Sequence, residues 1–158
     1  MSASAFELPP GGRVRAVGTV GPDGLLVAVG IEPQPWRPRA VVEATIEALG
    51  RGGLVHLLGQ AVRVTPDARV SGPEGEPLAP GAIAAGSRVW LGGRWSEDAG
   101  FVADEIRLRT PREFQIVKIA GPARAWDDAR GRVEIAGFTV MMNGRTMLGT
   151  GDDAEDDE

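Results

Sequence analysis

The sequence contains no cysteine, which excludes disulfides, thiolate metal sites and a cysteine nucleophile. Its single histidine is His56, so a paired-histidine metal site cannot form and no second histidine can orient a catalytic base. No run approaches the roughly 18 apolar residues that span a bilayer as a helix, and no membrane insertion is expected. The start, MSASAFELPPGG, has neither the basic nor the apolar region of a signal peptide. The chain as written is therefore expected in the cytoplasm, and in the periplasm or cell envelope if a leader was removed. G-x-S-x-G, Walker, H-E-x-x-H and Rossmann motifs are all missing, and the glycine-rich stretches join strand to strand without opening a helix that could hold phosphate. Asp127 and Asp128 are adjacent carboxylates that fit turn capping better than acid–base work. No catalytic residue, metal or cofactor is expected.

What is present is the punctuation of a β protein. The 158 residues are 42% hydrophobic, enough for a core, and 23 glycines and 12 prolines are spread between short apolar runs. All-β is the expected class. The net charge of −5 is concentrated at one end: Asp152, Asp153, Glu155, Asp156, Asp157 and Glu158 lie in the last seven residues. Without them 16 acids face 17 bases, so the body is near neutral and residues 149–158 read as a disordered acidic tail.

The chain repeats itself. GGRVRAVGTV at 11–20 aligns with GSRVWLGGRW at 86–95, and the match continues to Ile31 and Ile106 at an offset of 75. A second match joins residues 42–70 to 119–148 at offsets of 77 to 78, placing Gly53 with Gly131, Val55 with Val133, Gly59 with Gly137 and Val62 with Val140. The middle copy is complete, whereas the N-terminal segment supplies the second half of a unit and the C-terminal segment the first half. Two such fragments are expected to combine into a circularly permuted copy, because each alone leaves open edges and half a core. The same arithmetic admits a swapped oligomer, in which the halves come from different chains.

Apolar alternation in the complete copy marks strands near 42–49, 53–58, 61–70, 87–95 and 100–108, with a long connection before the fourth. That order fits an OB-type Greek-key barrel, with a simple meander as the rival. The expectation is two OB-like five-stranded barrels: residues 42–110, and residues 8–31 with 115–148, joined by a proline-rich linker at 32–41.

Gly59, Val62 and Val64, then Gly86, Arg88, Val89, Gly93, Ala103 and Ile106, form a pattern that resembles the bacterial family called domain of unknown function 5666. In the permuted copy Gly137, Val140, Thr146, Gly11, Val14, Ala28 and Ile31 carry the same resemblance. Ala68 stands where the family has threonine. The resemblance implies an OB-like barrel, often exported, and assigns no activity.

Candidate binding residues follow from comparing the copies. Val55 and Leu57 are expected to face the interior, which points Leu54, His56 and Leu58 outward, with Arg63 on the next strand and Arg51 and Arg69 near the ends of that face. Leu54 and Leu58 match Arg132 and Ala136, so one outer face is more apolar than the other; it is expected either to bind a partner or to pack against the second barrel. Trp95 matches Val20 and is expected in the core. Trp90 matches Arg15 and is expected to be exposed, and Trp126 matches Leu49. Trp36 lies in EPQPWRPRA, where it either pins the linker or joins the other tryptophans as an anchor. A protein partner is the function this set supports, because the face has no aromatic platform. Single-stranded nucleic acid is the alternative.

Overall fold

The computed structural model describes residues 12–110, 116–127 and 129–149. They form β1 (Arg13–Val20), β2 (Leu26–Pro33), β3 (Ala40–Thr45), β4 (Ala48–Leu49), β5 (Leu54–Leu57), β6 (Gln60–Ser71), β7 (Arg88–Ser96), β8 (Gly100–Arg109), β9 (Ile116–Asp127), β10 (Arg132–Ile135), β11 (Phe138–Met141) and β12 (Met147–Leu148). The fold is all-β with a mixed sheet, and the described helical residues are two short 3-10 turns at Arg51–Gly53 and Pro80–Ala82. The strand expected over 42–49 divides into β3 and β4 at Ile46 and Glu47. There the chain leaves β7 for β5: Ile46 N donates to Ser87 O, and Glu47 N to His56 O. The linker is shorter than expected, because β2 runs through Pro33 and β3 begins at Ala40. The acidic tail expected at 149–158 lies, from residue 150 on, outside the described residues.

The N-terminal hairpin pairs with the C-terminal strands within one chain. Going round, β9 pairs with β1, β1 with β2, β2 with β11, β11 with β10, and β10 with β9 again; only β2–β11 is parallel. The middle segment repeats this course. There β3 pairs with β7, β7 with β8, β8 with β6 in parallel, β6 with β5, and β5 with β4, which continues β3.

Sequence equivalence is also register equivalence. The β7–β8 ladder slips between Gly92 and Gly93, and the β1–β2 ladder between Val17 and Gly18. A Cβ at Gly18 would stand 1.9 Å from the Val27 carbonyl oxygen, and one at Gly93 would stand 1.9 Å from that of Val102. No side chain fits either bulge. The β5–β6 and β10–β11 hairpins turn on Leu58–Gly59 and Ala136–Gly137, all four at positive φ, as a two-residue turn matched to strand twist requires.

The two segments meet through antiparallel pairing of β3 with β9 at Val41↔Ala120, Val42↔Ile119 and Glu43↔Lys118. At the offset of 77, Val42 is the counterpart of Ile119, and the flanking pairs exchange with each other. A pseudo-two-fold axis therefore passes through the Val42–Ile119 pair. Side chains obey it too: Arg13 Nη1 donates to the Arg39 carbonyl, and its counterpart Arg88 donates through Nη2 to the Ile116 carbonyl. Each arginine thus fastens its own segment to the start of the other's leading strand.

One hydrophobic cluster runs through both segments and includes Val14, Ala16, Val133, Ile135 and Val140 together with Val62, Leu91 and Ile106. Phe101 and Phe138 meet edge-on within it at 6.0 Å. Val20, the counterpart of Trp95 in the repeat, is 39% exposed at the end of β1. Trp95 is half-buried against the core, with Arg124 4.9 Å over its ring.

Candidate binding cleft

β5 alternates buried Val55 and Leu57 with half-buried Leu54 and His56, the pattern of a strand with one face in the core. Its partner β6 sets exposed Arg63 opposite Leu54, and Ala61 opposite His56. Leu54, His56 and Arg63 are thus brought together on adjacent strands. Leu58 does not join them. It is 2% exposed, because it sits at φ 51° in the hairpin turn and packs into the core, while the Leu25 side chain closes over the neighbouring Gly59. The expected Leu54–Leu58 apolar patch is therefore reduced to Leu54.

The tryptophans also depart from expectation. Trp90 is 4% exposed, not solvent-facing. Its indole packs with Val41 and Ala120 on the outer side of the β3–β9 junction, lies along Gly92, and is capped by the Arg107 guanidinium 4.0 Å from the ring centre. At the matching positions of the N-terminal hairpin this cross-strand pair becomes Arg15 and Glu32, an ion pair at 2.7 Å. Trp126 is half-buried against the core. Trp36 is 72% exposed, so it does not pin the linker it belongs to. It is remote in sequence from β5 and β6 and is not among the residues that line the cleft beside them.

A cleft of about 210 Å³ opens beside β5. Its walls are Leu49, Gly50, Gly53, Leu54, Val64, Thr65, Pro66 and Ala68, and core residues Val55, Val70, Ile83 and Ile106 line it further. The opening exists because β6 leaves its ladder with β8 between Val64 and Arg69, where the register on β8 advances only from Ala103 to Glu105. Pro66 has no N–H for that ladder, and the chain bulges around it. Within the bulge, Thr65 Oγ1 is buried without a hydrogen-bond partner among the described residues.

Arg51, Arg63 and Arg69 are chain neighbours of the lining residues; all are exposed, and none makes an ion pair among the described residues. Nearby, Asp67 on the bulge is the opposing charge, while Glu105 and Arg107, flanking Ile106, pair with each other at 2.9 Å. The N- and C-terminal segments form a cleft of about 410 Å³ at the matching place, lined by Trp126, Gly131, Met142, Asn143, Gly144, Thr146 and Leu148 among others. It carries Trp126 where the middle segment has Leu49, which is 48% exposed.

No group of three or more metal-ligating side chains occurs among the described residues, and no described helix is long and apolar enough to cross a membrane. No protein-family model, curated protein or solved structure matches the chain.

Proposed function

We propose that this chain is a non-catalytic binding module of two OB-like barrels, one from residues 40–109 and one permuted from 13–33 and 116–149, which holds a protein partner at the β4–β6 cleft. The two pairing circuits support the architecture. Each runs first, second, third, fifth and fourth strand and back to the first, with the third and fifth parallel, and the segments share their bulges and hairpin turns. The resemblance to the domain of unknown function 5666 family supports it too, since Gly59 and Gly137 occupy those turns while Val62 and Val140 lie in the core.

The functional part is carried by the difference between copies: the middle cleft is lined mostly by apolar residues, with Leu49 where the matching cleft of about 410 Å³ has Trp126 beside Arg130, Asn143 and Thr146. Apolar concavity rimmed by polar groups favours a protein contact. Arg51, Arg63 and Arg69 favour a second reading, single-stranded nucleic acid along the same strands. Retention of the full chain on heparin or an immobilised oligonucleotide separates the two. Phosphate contacts release counterions and give steeply salt-dependent retention. A protein-binding module passes through unretained at physiological salt, and strong retention there rejects this reading in favour of nucleic acid.

A further inference from the structure

We infer that the β4–β6 cleft takes a single large aromatic side chain from an acidic segment of the partner. This rests on the protein-binding reading above and specifies its ligand. Size sets the first term: about 210 Å³ is below the ~300–1,000 Å³ of pockets that enclose whole small molecules, and it suits one side chain. The permuted copy sets the second. Trp126, at the place of Leu49, rests half-buried against the core beside the matching cleft, so an indole is compatible with this part of the fold.

Charge sets the third term. Three exposed arginines without ion-pair partners stand next to lining residues, against one carboxylate, Asp67, that is not itself paired. Arg39, Arg124 and Arg130 hold carboxylates, while Arg94, Arg132 and Arg145 are exposed without an ion pair among the described residues, so the feature of this cleft is three such arginines next to one set of lining residues. A partner bringing Asp or Glu on either side of its aromatic residue would complete the pairs left open at this rim, whereas a basic segment would meet like charge.

The test uses the full chain and three fluorescein-labelled peptides: DDWDD, KKWKK and a copy of residues 149–158, followed by anisotropy. DDWDD is expected to bind about ten-fold or more tightly than KKWKK. Leu49→Trp, which places the indole of the other copy at the mouth, and the surface variant Arg51→Glu/Arg63→Glu/Arg69→Glu should each weaken DDWDD about ten-fold, with thermal melts verifying the fold. Equal binding of DDWDD and KKWKK, or binding that neither variant changes, overturns the inference. So does equal or tighter binding of the 149–158 peptide, which has no aromatic residue and would make the occupant the acidic tail of a second copy. If no peptide binds, the inference fails while the protein-binding reading stands on its heparin result. If an oligonucleotide displaces DDWDD in a Leu49-dependent manner, the protein-binding reading fails as well.

Discussion

Replacing Glu43 with alanine removes the carboxylate that serves Arg88, and the structure sets the size of the loss. Glu43 Oε2 lies 2.9 Å from Arg88 Nη2 and 3.0 Å from Nε, with both side chains almost fully buried, and Arg109 Nε approaches Oε1 at 3.9 Å. Breaking a buried pair from one side leaves an uncompensated charge and costs about 3–5 kcal/mol. For a chain of this length each kcal/mol shifts Tm by ~2–4 °C, so Glu43→Ala should lower Tm by about 10 °C in a circular-dichroism melt at neutral pH. The matching N- and C-terminal segments supply the control. There Ala120 stands at the position of Glu43, and Arg13 Nε donates instead to Gln34 Oε1 at 3.2 Å, Gln34 being the counterpart of Arg109. Adding Arg109→Gln to Glu43→Ala copies that arrangement and should recover more than half of the lost Tm. A single variant within about 2 °C of the parent would show that the pair is not desolvated. A double variant less stable than the single would refute the equivalence of the two sites.

Deleting residues 1–33 should strip hydrogen-exchange protection from residues 116–148 and leave β5–β8 protected, because β9 and β11 each lose a neighbour while the middle circuit keeps all of its own; equal loss in both segments rejects the division. Gly93→Ala should cost about 1–3 kcal/mol in urea unfolding, since its Cβ would meet the Val102 carbonyl oxygen at 1.9 Å; an unchanged midpoint would mean that the bulge yields freely. Arg39 donates to Asp104 at 2.9 and 3.3 Å and holds its carboxyl below the usual 3.8, against burial, which pushes it up. A carboxyl lowered in this way contributes stability that is present above its unfolded value and lost as pH falls through the folded one. Arg39→Met should therefore raise the Asp104 midpoint toward 3.8 in a carboxyl NMR titration, and an unmoved midpoint rejects the assignment.

Strand positions were legible because glycine punctuates them, as at Gly59 and Gly137 in the turns, whereas the slips in register at Gly18 and Gly93, where no Cβ fits, were not. The alternation of Leu54 to Leu57 also read correctly. Burial on the outer face did not. Trp90 looks exposed in the alternation of its strand, and it is covered by the packing of Val41 and Ala120 at the β3–β9 junction and by Arg107 from the next strand. Leu58 was misread because strand alternation stops at a turn with positive φ. The cleft itself was hidden: Leu49, Thr65 and Ile83 meet only after β6 bulges, and the one local sign was Pro66 inside a strand-like run.

The pairing of β1 with β9 joins Arg13 to Pro122, more than a hundred positions along the chain. On the ribosome this becomes a matter of time. Between Pro33 and Ile116 lie 82 residues, about 4–16 s of synthesis at ~5–20 residues per second. During that interval the first hairpin is out with neither β9 nor β11 made, while the middle segment acquires all of its own strands and can close first. The newborn chain thus carries a waiting β-ribbon beside a finished neighbour, and a second ribosome on the same message carries an identical one. Chaperone demand and aggregation during expression should therefore track the delay before β9 emerges, and slow codons between residues 34 and 115 should aggravate both without changing a single amino acid.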